Sequence, residues 1–156
     1  MSGSSRRRLA AGFTLIEIMA VVLIIGLLGG IVGAVVFSQV DKARVNTART
    51  QIKQLESALE FYRLDNARYP STEQGLRALV QKPSGDPQPR NYRPEGYLQG
   101  GQVPLDPWGE DYQYRSPGEH NTYSFDLWSF GADGKPGGSD NDSDLGNWAS
   151  EEAGKG

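Results

Sequence analysis

Residues 13–37 of this chain read FTLIEIMAVVLIIGLLGGIVGAVVF and carry a single charge, Glu17. A helix of about 25 residues, rising about 1.5 Å per residue, is roughly 37 Å long, and the hydrocarbon core of a bilayer is about 30 Å thick. The stretch therefore predicts a helix that crosses a membrane once.

Basic residues flank this stretch unequally. Three arginines, at positions 6–8, precede it, and no further basic residue follows until Lys42. Because basic residues stay on the cytoplasmic side, we expect the N-terminus in the cytoplasm and the C-terminal part across the membrane.

A cleaved signal peptide is an alternative for the same pattern. Its apolar core is normally about 7–15 residues long and is followed by small residues at the cleavage site. In this chain the small residues lie in front of the apolar run, and behind it only residues 32–34 match such a site in part.

Glu17 needs an explanation if it enters a membrane. A carboxylate costs about 3 kcal/mol at the bilayer centre and less near an end. If the chain were cut between Gly12 and Phe13, the new amino group of Phe13 could pair with Glu17. Otherwise the acid lies among the lipid headgroups.

The junction Gly12-Phe13-Thr14-Leu15-Ile16-Glu17 resembles the class III leader junction of type IV pilins and pseudopilins. The resemblance implies that residues 1–12 are a leader removed after Gly12 by a prepilin peptidase. It also implies that Phe13 is N-methylated and that Glu17 registers each incoming subunit in a helical filament.

Composition limits what the remainder can be. The chain has 16 basic and 19 acidic residues, and removal of the three leader arginines leaves 13 and 19. An acidic mature chain argues against nucleic acid as a partner. About 120 residues remain outside the leader and the membrane helix, which is enough for one small domain.

Helical periodicity continues beyond the apolar run. Five apolar residues recur at spacings of three and four and form one stripe of an amphipathic helix over residues 38–65: Ala48, Ile52, Leu55, Leu59 and Tyr62. We therefore predict one long helix from Phe13 to about Asp65, with a folded domain on its second half.

Residues 66–156 are predicted to form that domain. Ser71 and Gln74 make a capping box before a short helix that Pro83 ends, and residues 85–101 form a loop pinned by two tyrosines. Alternating residues at 111–115 and 122–130 predict a β-hairpin. The fold class is thus α+β, a long N-terminal helix packed on a small sheet.

Four segments in this region strengthen the resemblance: 65–66 (Asp-Asn), 69–76 (YPSTEQGL), 104–109 (PLDPWG) and 131–134 (GADG). Together with the leader they resemble the major pseudopilin family of type II secretion systems, protein G, from Gly12 to Trp148. The resemblance implies a type IV pilin-like fold and a periplasmic filament that pushes folded exoproteins through the outer membrane.

That resemblance also implies the partners and the location. The partners would be further copies of the chain, minor pseudopilins, the prepilin peptidase and an inner-membrane assembly platform. The subunit would sit in the inner membrane with its C-terminal domain in the periplasm. A pilin of a surface fibre, or a membrane-anchored calcium-binding domain, would share part of the pattern.

The acidic loop within residues 130–148 predicts a calcium site. It has four aspartates within twelve residues, at 133, 140, 142 and 144, and glycines that let carbonyls turn inward. Calcium takes about six to eight oxygen ligands, supplied by carboxylates and carbonyls together. The chain has no cysteine, and small exported domains without disulfides often need a metal.

The resemblance implies a structural calcium ion with Asp133 and Asp140 as first side-chain ligands, then Asp142 or Asp144, and the Phe130 carbonyl. Other interpretations of the loop are weaker: an EF-hand lacks its glycine, a calcium-binding β-helix repeat occurs only once, and a solvated charge run needs no ion. Residues 149–156 are predicted to be a flexible tail.

Catalysis has little support in the sequence. The single histidine, His120, falls in the predicted hairpin turn, and no residue is spaced to activate a serine. We therefore expect a protein that is not an enzyme.

Overall fold

The computed structural model describes residues 12–148, without the side chains of Ile31, residues 33–35 and Asn141. Helix α1 spans Leu15–Asn66, and strands β1, β2 and β3 span Gln113–Arg115, Asp126–Ser129 and Leu145–Gly146. Three 3₁₀ helices lie at Leu76–Leu79, Gly131–Asp133 and Asp140–Asp142. This set of helices and strands confirms the predicted α+β class. The predicted leader arginines and the predicted tail lie outside the described residues.

The chain divides into two compact units, Met1–Gln39 and Val40–Gly156. The described part of the first unit is almost entirely helical, and its large apolar side chains are exposed, from Phe13 at 80% to Phe37 at 74%. Among the described residues, whose gaps include four side chains between Ile31 and Val35, no helix is long and apolar enough to cross a membrane.

The core of the second unit forms on the predicted helix stripe. All five stripe residues, from Ala48 to Tyr62, are buried. They pack with buried residues of the first 3₁₀ helix, the sheet and its loops: Leu79, Tyr112, Phe125, Leu127 and Leu145. The core therefore confirms the amphipathic helix.

The sheet is antiparallel, in the order β1-β2-β3. Tyr114 pairs with Leu127 across the predicted hairpin, and β3 pairs Gly146 with Trp128. Both predicted strands, 111–115 and 122–130, are too long at their N-terminal ends, and the second also by one residue at its C-terminal end. Asp111 forms only an isolated bridge to Leu105, and the residues before Asp126 form the turn that encloses its carboxylate.

The region between helix and sheet follows the prediction in part. The Ser71 hydroxyl accepts from the Gln74 backbone N–H at 3.2 Å, and the Gln74 side chain accepts from the Ser71 N–H at 3.1 Å, so the capping box forms. The predicted short helix is a single 3₁₀ turn, Leu76–Leu79, entered through Gly75 at φ +57°.

The irregular loop over residues 85–101 is held by aromatic rings, as predicted. Tyr92 and Tyr97 both contact the ring of Tyr62 on α1, at centroid distances of 6.3 and 5.2 Å. Buried Asn66 donates to the Tyr97 hydroxyl at 2.9 Å and accepts from the Asn91 N–H at 3.0 Å. The last turn of α1 thereby holds the loop.

Candidate functional site

The leader junction lies at the start of α1. Gly12 and Phe13 are exposed and precede the helix, and Thr14 caps it. The Thr14 hydroxyl accepts from the Glu17 backbone N–H at 3.3 Å, and the Thr14 carbonyl accepts from the same N–H at 3.1 Å. The bond between Gly12 and Phe13 is therefore outside regular secondary structure.

Glu17 lies in the first turn of α1, three residues after the cap. A carboxylate there is favoured by the partial positive charge of the helix N-terminus. The roles expected of Glu17 from the sequence were pairing with an amino group and registering subunits in a filament. The structure adds a local stabilising role, and the spacing of Thr14 and Glu17 is that of a capping box, a signal the sequence already carried.

The acidic loop is compact. The 3₁₀ helices Gly131–Asp133 and Asp140–Asp142 lie near one another. Backbone N–H groups of the loop between them donate hydrogen bonds to aspartate carboxylates. The Asp133 carboxylate accepts from the Lys135 N–H at 3.1 Å, and Asp144 Oδ2 accepts from the Gly137 N–H at 3.0 Å. Asp133 and Asp144 thus stabilise the loop conformation as well as giving it negative charge.

One buried carboxylate oxygen in this loop stands apart. Within residues 12–148, as far as their side chains are described, Asp144 Oδ1 accepts no hydrogen bond. A buried carboxylate oxygen without a donor is costly, so it marks a position where a cation would be favoured. Asp133, Asp140 and Asp142 are exposed instead.

The loop backbone approaches itself closely at Gly138. This residue has φ +88°, and a Cβ there would lie 2.2 Å from the Asp142 carbonyl oxygen. Asp140 also adopts a positive φ, of 53°, which is uncommon for a residue with a side chain. Positive-φ residues of this kind let a loop turn sharply, and calcium-binding loops contain such turns.

The described residues nevertheless contain no group of three or more histidine, cysteine or acidic side chains placed to hold a metal ion. Calcium accepts backbone carbonyls and water as well as carboxylates, so the oxygen donors of this loop are of the kind that calcium takes. A transition-metal site of converging side chains does not fit these residues.

Two buried acids were missed by the sequence analysis. Asp126, 2% exposed, accepts from the backbone N–H groups of Glu119, His120 and Asn121 at 2.7–2.9 Å. Burial alone raises the pKa of Asp126, but these donors outweigh it and the pKa is lower than usual. Gly118 permits the turn, since a Cβ there would lie 2.4 Å from Asp126 Oδ1.

Asp106 organises the segment before β1. Its Oδ1 accepts from the N–H groups of Trp108 and Glu110, and its Oδ2 accepts from the Ser129 hydroxyl at 2.5 Å. The run Asp-Pro-Trp-Gly from residue 106 is a turn signature that could have indicated this role. Both buried acids are fully engaged in holding turns.

His120 lies in the connection between β1 and β2, as expected. Its ring stacks on Trp148 at a centroid distance of 4.1 Å and an interplanar angle of 13°. Trp148 also contacts Trp128 at 5.8 Å and lies over Gly146. The histidine therefore helps to hold the end of the acidic loop against the sheet.

Known proteins resemble the chain over nearly all of its length. Residues 35–148 match the family described as type II secretion system, protein G, and residues 7–33 match the prokaryotic N-terminal methylation motif. The type II secretion system core protein G of Pseudomonas aeruginosa is 55% identical over 143 residues, which cover 92% of this chain and 98% of the relative.

Two further matches agree. The type II secretion system core protein G of Vibrio cholerae is 48% identical over 143 residues, covering 92% of this chain and 94% of that relative. The crystal structure of the major pseudopilin from the type 2 secretion system of enterohaemorrhagic Escherichia coli has a TM-score of 0.62 and 48% identity, covering 72% of this chain and 93% of that one.

Proposed function

The chain belongs to the type II secretion system protein G family, and from that premise we propose how its residues serve a major pseudopilin. The subunit is stored in the inner membrane, loses its leader and is then added to a periplasmic filament of identical chains. The observation that carries this proposal is that the described large apolar side chains from Phe13 to Val40 are exposed.

A lone subunit cannot leave that surface in water, because exposed apolar patches of this extent need a partner. Lipid covers it before assembly, and the helices of neighbouring copies cover it in the filament. From the complete apolar run of residues 13–37, which includes four positions whose side chains the structure does not describe, we therefore propose a single membrane span, with the N-terminus cytoplasmic and the C-terminal domain periplasmic.

Leader removal is supported by the exposed junction before α1. A peptidase needs an extended, accessible bond, and Gly12 and Phe13 precede the helix that Thr14 caps. Cleavage by a prepilin peptidase leaves the amino group of Phe13 for methylation. The mass of the mature chain tests this directly: it should correspond to a methylated chain starting at Phe13, and a start after residue 34 would contradict it.

Glu17 then serves in assembly. Its carboxylate lies in the first turn of α1, one turn after the new N-terminus, where it can meet the methylated amino group of a neighbouring Phe13. We expect Glu17→Gln to leave membrane insertion intact and to abolish filaments seen by electron microscopy. Filaments of normal length from Glu17→Gln would refute the assignment.

A bound calcium ion would stabilise the acidic loop. Asp144 Oδ1, buried without a donor, supports Asp144 as a ligand, together with carbonyls such as that of Phe130 and one or two of Asp133, Asp140 and Asp142. When bound, the ion neutralises like charges within the loop and holds its turns closed.

Thermal unfolding with and without a chelator tests the calcium site. An ion present at a hundred times its dissociation constant stabilises by about 2.7 kcal/mol, so the chelator should lower the melting temperature by about 10 °C. Asp133→Ala and Asp144→Ala should remove this shift, whereas Asp111→Asn, outside the loop, should keep it. A melting curve that the chelator leaves unchanged would exclude the site.

The remaining assignments follow from the family. Minor pseudopilins and an inner-membrane assembly platform are the proposed partners besides further copies, and the filament helps to move folded exoproteins across the outer membrane. The buried acids Asp106 and Asp126 are engaged in turns, which supports a structural subunit that is not an enzyme. Deletion of the gene should abolish secretion without producing or removing surface fibres.

A further inference from the structure

Charge is distributed unevenly along the second unit. Residues 40–55 carry four basic side chains and one acidic side chain, a net charge of +3, whereas residues 56–148 carry eight basic and fifteen acidic side chains, a net charge of −7. The basic excess is therefore confined to the first turns of α1 within this unit.

The four cations form what we call the basic collar: Lys42, Arg44, Arg49 and Lys53. All four are exposed. Within the described part of the chain the ion pairs are Arg63 with Glu60, Arg93 with Asp65, and Arg115 with Glu119, so none of them engages the collar. At 100° per residue, positions 42, 49 and 53 share one face of α1 and Arg44 lies on the opposite face. The collar thus places charge on two opposite faces of the helix.

Helix geometry separates the collar into two pairs. Val40 is the last apolar residue before the cations, and Lys42 and Arg44 follow it by about 3 and 6 Å along the axis, whereas Arg49 and Lys53 follow by about 14 and 20 Å. The polar headgroup layer of a bilayer leaflet is about 5–7 Å thick. Only Lys42 and Arg44 fall within that layer if the apolar run ends at the hydrocarbon edge.

We propose that Lys42 and Arg44 bind the phosphates of anionic phospholipids in the outer leaflet of the inner membrane. This inference rests on the membrane placement proposed above. Their long apolar stems can follow the bilayer surface while the charged ends contact phosphate. The remainder of the unit is acidic and is repelled by the same lipids, so attraction to an anionic lipid surface is confined to the basic end of the unit.

Lipid selectivity of the full mature chain tests the proposal. The chain is reconstituted in nanodiscs of equimolar phosphatidylglycerol and phosphatidylcholine, and spin-labelled forms of both lipids report which one occupies the layer around the protein. We expect preference for phosphatidylglycerol at low ionic strength and its loss at high salt. Each cation near the surface should contribute up to about five-fold to this preference.

Two matched double variants locate the effect. Lys42→Gln with Arg44→Gln should lose most of the preference, whereas Arg49→Gln with Lys53→Gln removes the same charges from the same helix and should retain most of it. Equal behaviour of the two variants, or full preference in the first, overturns the proposal.

Other outcomes are separable. If Lys42→Gln with Arg44→Gln keeps its lipid preference but loses self-association in the same nanodiscs, Lys42 and Arg44 contact the acidic surface of a second copy. The lipid proposal is then wrong. If the unaltered chain is released from the bilayer by alkaline carbonate, the membrane placement itself fails. If the chain stays in the bilayer but shows no lipid preference, the proposal that Lys42 and Arg44 bind lipid phosphates is wrong and the membrane placement stands.

Discussion

Replacement of Asp126 by asparagine should strongly destabilise the second unit. Each carboxylate oxygen accepts two hydrogen bonds: Oδ2 from the N–H groups of Glu119 and His120, and Oδ1 from the N–H and side-chain amide of Asn121. An asparagine keeps one oxygen and turns an NH₂ group toward the other two donors. Two hydrogen bonds to a charged group are lost whichever way the amide points.

The expected magnitude follows from those two bonds. A hydrogen bond to a charged group contributes about 1.5–3 kcal/mol, so the free energy of unfolding should fall by about 3–6 kcal/mol. At about 4 °C per kcal/mol for a domain of this size, the melting temperature falls by about 12–24 °C. The assay is thermal unfolding of the full chain in detergent micelles, followed by near-ultraviolet circular dichroism, with exposed Asp111→Asn as the matched control.

The pH dependence gives a second, independent check. The pKa of Asp126 is lowered by folding, so its stabilising contribution is present above the pKa of an unfolded aspartate, about 3.9, and is lost as pH falls through the folded value. The difference in unfolding free energy between the unaltered chain and Asp126→Asn should be constant at neutral pH and should disappear below about pH 4. A difference that persists at low pH, or a variant as stable as Asp111→Asn, would refute the reasoning.

Two further substitutions probe the core and the acidic loop by thermal unfolding. Leu59→Ala, at a fully buried position of the helix stripe, should lower the free energy of unfolding by about 2–5 kcal/mol. Leu64→Ala, on the exposed side of α1, should change it by about 0.5 kcal/mol or less. Similar effects of the two substitutions would contradict the burial of Leu59. Gly138→Ala should cost about 1–3 kcal/mol from its positive φ, plus the contact with the Asp142 carbonyl. Gly137→Ala shares the positive φ but meets no atom within 4 Å, so a cost equal to that of Gly138→Ala would argue against the close approach.

Much of the fold was predictable because its signals are local. The stripe from Ala48 to Tyr62 repeats every three or four residues, and this spacing places the residues on one face of a helix whatever follows. The capping box at Ser71 and Gln74 is likewise a matter of three residues. The leader junction is a short motif, and its match to the N-terminal methylation motif follows from residues 7–33 alone.

Elements that depend on distant partners were not predictable. β3 is two residues long and exists because Leu145 and Gly146 pair with Ser129 and Trp128 of β2. Nothing local distinguishes those two residues as a strand. The second hairpin strand is shorter than its alternation predicts, because the Asp126 carboxylate holds residues 119–121 in a turn. The first strand is shorter because Asp111 bridges to Leu105 instead of continuing β1.

The acids show most clearly what each level determined. The amino-acid sequence by itself established an apolar helix, an amphipathic continuation and a cluster of aspartates, since period and composition are properties of neighbouring residues. Only the tertiary structure decided that Asp106 and Asp126 are buried, that Asp133 and Asp140 are exposed, and that Asp144 keeps one buried oxygen without a donor. Burial depends on which segments pack together, and identical side chains acquire different roles only when the folded chain sets their surroundings.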